Sequence, residues 1–396
     1  MPAPLTPDRM SADEKRTGAS LAAVFALRML GLFLILPVFA LYAKTLPSGN
    51  DMSLVGMALG AYGLTQAALQ IAYGAASDRF GRKPVIVFGL LLFAFGSFVA
   101  ASAGDIYGII AGRILQGAGA ISAAVTALAA DLTREQHLTK VMAMIGSSIG
   151  LVFALSMIGG PLLYTTIGMS GIFMLTGALS LLAIGVVVKA VPAAPAIPRQ
   201  PAWPSFVEVL TNRQLLRLNF GVFALHLMIT AMWVVVPSEL TSTGGLPVAE
   251  HWKIYLLALL FSFALMVPAI IAAERHGRMK MVFNMAIMLL LAAQVGFAIL
   301  AHGLYALAFW LTVFFIAFNV LEATQPSLIS KMSPPHAKGA ALGVYNTTQS
   351  LGLFLGGVVG GSLAKYSGLG AIWLAGAILA TIWLALGLTM DIRVAR

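Results

Sequence analysis

The sequence predicts an all-α membrane protein with twelve transmembrane helices arranged as two six-helix domains. Its 396 residues are 60% hydrophobic and only 10% charged, whereas soluble proteins carry about 25% charged residues. The apolar blocks are about 20 residues long, which is the length that an α-helix needs to cross a bilayer. Strands of a transmembrane barrel would be shorter and would alternate in polarity, and these blocks do not.

The apolar blocks give the predicted spans, which in chain order are residues 18–43, 52–76, 84–103, 105–130, 138–164, 169–190, 217–241, 252–273, 279–301, 303–331, 338–365 and 369–390. The first block is too long for a signal-peptide core and has no clear cleavage site, so it is predicted to remain as a span. The longest break, 191–216, is rich in proline and then amphipathic. It divides the chain into domains 18–190 and 217–390, with a terminal segment 1–17 and a tail 391–396.

The lysines and arginines predict the orientation. Because the number of spans is even, both termini lie on one side, and nineteen of the 24 bases lie in the loops of that side. Three bases lie in the opposite loops, and two lie inside spans. The positive-inside rule therefore predicts that the terminal segment, the linker and the tail are cytoplasmic. The net charge of +10 follows from this topology and needs no nucleic acid to explain it.

A short charged turn between the second and third spans recurs at the same place in the second half. The first copy is residues 77–82, SDRFGR, and the second is residues 273–278, AERHGR. Acid, base, glycine and base recur at identical spacing. This repetition favours the duplication of a six-helix unit.

The pattern Gly-x-x-x-Asp-Arg-x-Gly-Arg-Lys at 74–83 resembles a motif of the major facilitator superfamily. Within it, residues 27–31 (LRMLG), 130–136 (ADLTREQ) and 326–331 (PSLISK) are similar to the YajR-type bacterial proton-driven efflux transporters. The resemblance implies a monomer in the bacterial inner membrane whose partners are a small-molecule substrate, protons and membrane lipids. Those relatives can carry a soluble C-terminal domain, whereas this sequence ends at Arg396, soon after the twelfth span.

The first charged turn is the predicted gating latch, which consists of Gly74, Asp78, Arg79, Gly81, Arg82 and, after the fourth span, Asp131 and Arg134. Gly81 permits the positive φ of a tight reversal, and Gly74 permits close helix approach. The resemblance implies that Asp78 pairs across the domain interface in the outward-open state and releases when the protein switches. The alternative is a topological anchor in which the bases only hold the membrane face.

Four ionisable side chains lie inside predicted spans: Arg28, Arg113, His226 and Glu322. Their spans are the first helices of the four three-helix repeats, which the resemblance places around a central cavity. Glu322 is the predicted proton carrier, with His226 and Arg28 acting on its charge. A fixed pair between Glu322 and one of these cations, holding the two halves together, is the alternative.

The predicted substrate cavity combines the four ionisable residues with polar stripes on the neighbouring spans. Its members are Arg28, Tyr62, Gln66, Arg113, Gln116, His226, Trp233, Asn319, Glu322, Tyr345 and Gln349. An arginine inside a span is costly, so Arg113 is expected to face a cavity or a partner. Ordinary helix packing is the alternative for the polar stripes, and bonding to backbone carbonyls is the alternative for Arg113.

The sequence indicates a transporter and gives no sign of an enzyme. It has no cysteine, no phosphate-binding glycine-rich loop and no metal-ligand cluster, so no cofactor and no metal are predicted. The favoured function is proton-coupled export of a small hydrophobic or drug-like compound. The alternatives are import or exchange of a polar or anionic metabolite and, from another class, a non-transporting membrane sensor or scaffold.

Overall fold

The computed structural model describes residues 9–192, 203–334 and 337–391. These residues form α-helices joined by short turns, and the helices are α1 Ala12–Leu34, α2 Phe39–Ala43, α3 Met52–Phe80, α4 Arg82–Ala101, α5 Ile106–Ala118, α6 Ser122–Asp131, α7 Glu135–Lys189, α8 Trp203–Thr211, α9 Arg213–Ser242, α10 His251–Glu274, α11 Met279–Ile299, α12 Leu304–Met332, α13 Lys338–Tyr366 and α14 Leu369–Leu388. Residues 1–8 of the predicted terminal segment, 193–202 of the predicted linker and 392–396 of the predicted tail lie outside the described residues. We call residues 9–192 the N-terminal half and residues 203–391 the C-terminal half.

The long helix α7 contains two spans that fold back on each other. Gly168 breaks the helix with a φ of 67°, which a residue with a side chain rarely adopts. Both ends of α7 lie beside the start of α1, since Arg134 pairs with Glu14 and Arg16 donates a hydrogen bond to the Ala190 carbonyl. The chain therefore reverses at Gly168, and residues 135–167 and 169–189 are separate spans.

The described residues contain ten helical stretches that are long and apolar enough to cross a membrane. One of these stretches is α7, which counts twice because of its reversal. The 29-residue α13 completes the set of twelve, because it is long enough to cross a membrane although its polar residues make it less hydrophobic than the other ten stretches. It packs along α3 on one side and α9 on the other. The predicted all-α membrane fold with twelve spans is thus confirmed.

Several helices begin or break at positions that the pattern of apolar residues does not predict. The first helix begins at Ala12 because Ser11 and Glu14 form a capping box over a charged first turn. It stops at Leu34, close to Pro37, and a short helix then follows. The predicted span 105–130 is broken at Gly119, and α9 begins at Arg213 because Asn212 caps it.

The two ends of the bundle differ. We call the end that holds the start of α1 the basic end, and we call the other end, where α3 begins and α13 ends, the closed end. At the closed end α3 of the N-terminal half packs directly on α13 of the C-terminal half. A Cβ atom on Gly56 would lie 2.0 Å from the Gly357 carbonyl oxygen, so the two backbones are in contact. Asp51 and Lys365 form an ion pair of 2.7 Å between the halves at this end.

Candidate transport site

The predicted latch residues Asp78, Arg82 and Asp131 form one cluster at the basic end. Arg82 lies 2.7 Å from an oxygen of Asp78 on the preceding turn of chain and 2.9 Å from an oxygen of Asp131 at the end of α6. The side chain of Arg82 is buried, while that of Asp78 is 45% exposed. In this conformation the acid of the latch therefore pairs with a base of its own half.

The remaining latch residues have other environments. Gly81 ends α3 with a φ of 93°, as a tight reversal requires. A Cβ atom on Gly74 would meet Ala123 at 3.6 Å, an ordinary contact, so this structure does not require glycine there. Arg79 lies over the Phe80 ring. Arg134 pairs with Glu14 through both carboxylate oxygens at 2.9 Å, so it ties α1 to the loop before α7.

Arg28 is buried within the N-terminal half. Its Nη2 atom donates to the Tyr62 hydroxyl at 2.8 Å and to the Gly119 carbonyl at 3.0 Å, where the break after α5 frees a backbone oxygen. Nη2 also lies 3.5 Å from Oε1 of Gln66, and the guanidinium faces the Phe93 ring. Among the described side chains, its partners are neutral groups.

Arg113 is also buried, and it binds α5 to α3. Its guanidinium donates to the carbonyls of Ala58 and Leu59, both at 3.2 Å, and to the side chain of Gln116 at 2.9 Å. Gln116 donates in turn to Ser97 of α4 at 2.8 Å. The hydrogen bonds of Arg113 therefore go mainly to backbone carbonyls, as in the structural alternative to a cavity role. Neither Arg113 nor Gln116 faces an open cavity in this conformation.

The side chains of Glu322, His226 and Gln349 meet in the C-terminal half, from α12, α9 and α13. Nε2 of Gln349 lies 2.6 Å from Nε2 of His226 and 3.4 Å from Oε1 of Glu322. Nε2 of His226 lies 3.6 Å from Oε2 of Glu322. The Glu322 side chain is 37% exposed, so the protein does not enclose this cluster completely.

The contacts of the His226 ring fit a neutral imidazole when the Gln349 amide has its Nε2 atom toward the ring. Nδ1 lies 3.0 Å from the Val222 carbonyl, which can only accept, so Nδ1 carries the hydrogen. Nε2 then has a free lone pair and accepts a hydrogen bond from the Gln349 amide. The second N–H of the same amide points toward Glu322. Oε2 of Glu322 is itself without a hydrogen-bond partner among the described residues. The cluster therefore has an open place for one proton.

Aromatic side chains join the halves on the closed-end side of this cluster. Phe153 of α7 lies 6.0 Å from the ring of Phe315 and 6.1 Å from that of Phe318, both on α12. The His226 ring lies 6.1 Å from Phe318. Phe33 of α1 lies 5.2 Å from the ring of Phe153. We call Phe33, Phe153, Phe315 and Phe318 the aromatic layer. It lies between the Glu322 cluster and the closed end.

Most other predicted cavity residues are buried inside one half. Tyr62, Trp233 and Tyr345 are each at most 3% exposed, and Asn319 donates to Ser262 of α10 at 2.8 Å. Gln66 is different, because its Nε2 donates across the interface to Oγ of Ser350 at 3.1 Å. The structure leaves Glu322 and Gln349 partly exposed, and substrate contact by the predicted cavity residues stays a prediction.

The sequence reasoning missed Ser350, the Asp51–Lys365 pair and the aromatic layer. The closely spaced glycines of α3 and α13 could have indicated the seam between these helices, since small residues let two helices approach closely. Phe153 gave no such signal, because the chain has 22 phenylalanines.

Comparison with known proteins places the whole chain in one group. The family model of the Major Facilitator Superfamily matches residues 21–246 and 218–394. The inner membrane transport protein YajR of Escherichia coli K12 is 44% identical over 96% of this chain and 85% of its own length. The multidrug resistance protein MdtH of Aeromonas hydrophila is 26% identical over 89% of each chain. Among solved structures, the human organic anion transporter MFSD10 has the same fold, with a TM-score of 0.74 at 18% identity over 95% of this chain and 100% of its own.

Proposed function

Since the chain belongs to the Major Facilitator Superfamily and is therefore a membrane transporter, we propose that it is a proton-coupled antiporter that exports a small hydrophobic or drug-like compound. The observation that carries this proposal is the cluster of Glu322, His226 and Gln349. It combines a partly exposed carboxylate deep in α12 with a histidine and an amide, and one oxygen of the carboxylate has no hydrogen-bond partner among the described residues.

One added proton would rearrange this cluster. A proton on Nε2 of His226 turns that atom from an acceptor into a donor, so it would face the N–H of Gln349 instead of a lone pair. The Gln349 amide would then have to turn away, and the new imidazolium N–H could donate to Oε2 of Glu322. A proton on Glu322 instead neutralises the carboxylate that lies beside His226.

The orientation of the bundle supports an inward-facing state. The sequence predicts that the loops on the side of the termini are cytoplasmic, and Arg16, Arg134 and Lys331 of that side lie at the basic end, which we therefore assign to the cytoplasm. The closed end, with the glycine contact between α3 and α13, would then face the periplasm. Side-chain contacts between the halves follow α3 from Asp51 to Gln66, which is the periplasmic part of that helix. We propose that residues 18–190 and 217–390 rock against each other about the Glu322 cluster.

The latch has a place in this cycle. In the inward-facing state Asp78 pairs with Arg82 of its own half. Closure of the cytoplasmic side would bring the C-terminal half to this exposed carboxylate, where it could pair across the interface. Arg82 would keep its second partner, Asp131, during the change. In this cycle Asp78 would stabilise the outward-open state, while Arg82 and Asp131 would hold the N-terminal half together in both states.

The substrate class rests on two observations. The aromatic layer places apolar rings, which pack on one another in this conformation, beside His226, the partner of the only carboxylate that the described spans hold in their interior. The relative MdtH is named a multidrug resistance protein, which supports export of drug-like compounds. Arg28 and Arg113 are buried within the N-terminal half, so an anionic metabolite would not reach either side chain in this conformation, although Nε and Nη1 of Arg28 have no hydrogen-bond partner among the described residues. Import or exchange of a polar metabolite is therefore the second candidate.

Transport in proteoliposomes tests the proposal. We expect an imposed pH gradient to drive ethidium, a lipophilic cation, across the membrane, and we expect Glu322→Gln to reduce this to the level seen when an ionophore collapses the gradient. Binding of ethidium should persist, because the substitution keeps the shape of the side chain. Glu274→Gln is the matched control, since Glu274 lies at the cytoplasmic end and pairs with Lys331 of the same half. Transport that survives both Glu322→Gln and the ionophore would refute proton coupling.

A further inference from the structure

The second copy of the charged turn has different partners from the first. In the first copy the base Arg82 forms ion pairs with Asp78 and Asp131, and all three residues belong to the N-terminal half. In the second copy the acid, Glu274, pairs with Lys331 and accepts a hydrogen bond from Ser327 at 2.9 Å. The bases that follow Glu274 in the sequence therefore form no ion pair with its carboxylate among the described residues.

Two of these bases line a groove on the outside of the bundle. The groove has a volume of about 500 Å³ and lies between the start of α11 and the end of α14. Arg278 and Lys280 lie at its basic end, and both are exposed. Neither has an ion pair among the described residues. Asn284 lies deeper in the groove, and its side-chain oxygen has no hydrogen-bond partner there.

The rest of the groove is apolar and open. Met281, Met285 and Met288 lie on one face of α11 at helical spacing, and each is between 47% and 49% exposed. Leu388 of α14 forms the opposite wall and is 57% exposed. Because α11 is a membrane span, this face meets acyl chains, and flexible methionine side chains adapt well to irregular apolar partners.

We propose that this groove binds an anionic phospholipid, with the headgroup phosphate at Arg278 and Lys280 and an acyl chain along the three methionines. The two unpaired bases match the charge of the phosphate, and they lie where α11 enters the membrane, at the level of the headgroups. The site lies outside the central space and does not depend on the transport proposal. The second copy of the turn thus serves the membrane surface, while the first copy serves the interior of its half.

Lipid titration of the purified protein tests the site. Native mass spectrometry can measure the binding of phosphatidylglycerol and, as a neutral reference, phosphatidylcholine. Each base near a headgroup contributes about 1 kcal/mol, or about fivefold in affinity, so the double variant Arg278→Gln/Lys280→Gln should bind phosphatidylglycerol roughly 25-fold more weakly. Arg275→Gln is the matched control, because this exposed base belongs to the same turn but does not line the groove.

Two further arms separate a lipid from a free anion. Met285→Ser should weaken phosphatidylglycerol binding by removing an acyl contact, and it should leave the much weaker binding of glycerol 3-phosphate unchanged. The proposal is overturned if the double variant and Arg275→Gln bind phosphatidylglycerol equally, if phosphatidylcholine binds as tightly as phosphatidylglycerol, or if glycerol 3-phosphate or inorganic phosphate competes with the lipid at equal affinity.

Discussion

The hydrogen bond from Gln66 to Ser350 predicts a conformational effect of a small substitution. Both side chains are buried, and the bond joins α3 of one half to α13 of the other. In Ser350→Ala the Nε2 group of Gln66 loses the hydroxyl that accepts its hydrogen bond. The amide stays in this orientation because its Oε1 atom faces Arg28. A buried donor without a partner costs about 1–3 kcal/mol. This cost falls only on the state in which the closed end is closed, so the ratio of the two states should shift about 5- to 150-fold.

Spin labels on the two halves can measure this shift. The chain has no cysteine, so the unmodified sequence already serves as the background for Lys44→Cys and Ser367→Cys, two exposed positions at the closed end. We expect Ser350→Ala to add a population with a longer distance between the labels. Ser156→Ala is the matched control, since this buried hydroxyl bonds to Leu30 within the N-terminal half. A distance distribution that is the same in Ser350→Ala, Ser156→Ala and the unsubstituted chain would refute the reasoning.

Two further predictions concern the ends of the bundle. Asp78→Asn should abolish most transport. The thermal unfolding temperature should change little, because an exposed ion pair contributes about 0–1 kcal/mol and Arg82 keeps its ion pair with Asp131. Full transport by this variant would reduce the turn to a topological anchor. The hydrogen bond from Lys365 lowers the pKa of Asp51, so their pair stabilises the closed end above the ordinary aspartate pKa of about 3.9 and is lost as the pH falls through the lowered value. The closed-end label distance should therefore stay constant between about pH 5 and pH 8, and an opening within that range that Asp51→Asn removes would contradict this assignment.

The first charged turn illustrates how far the sequence reasoning reached. Its residue types and spacing predicted a reversal at the membrane face, and Gly81 adopts the expected positive φ. The partner of Asp78 could not be predicted, because it depends on which conformation the two halves adopt. The pairing of Arg134 with Glu14 could not be predicted either, because the two residues are 120 positions apart in the chain.

The interior arginines show a second limit. Hydropathy singles out Arg28 and Arg113 because charge is rare inside a span. Whether such a side chain faces a cavity or a carbonyl depends on the rotation of its helix and on backbone breaks. The break at Gly119 presents a carbonyl to Arg28, and the packing of α5 on α3 presents two carbonyls to Arg113. Neither arrangement is visible in a hydrophobic pattern.

The sequence by itself determined the membrane class, the twelve spans and the internal repeat, because these follow from local composition and spacing along the chain. It also singled out Glu322 and His226, since ionisable groups in apolar spans stand out in any reading. Only the tertiary structure decided that the side chain of Gln349 contacts both of them, that Gln66 and Ser350 bond across the halves, and that Arg278 and Lys280 line a groove on the outside of the bundle. Each of these depends on contacts between helices that are far apart in the chain, where distance, rotation and conformational state decide which side chains meet.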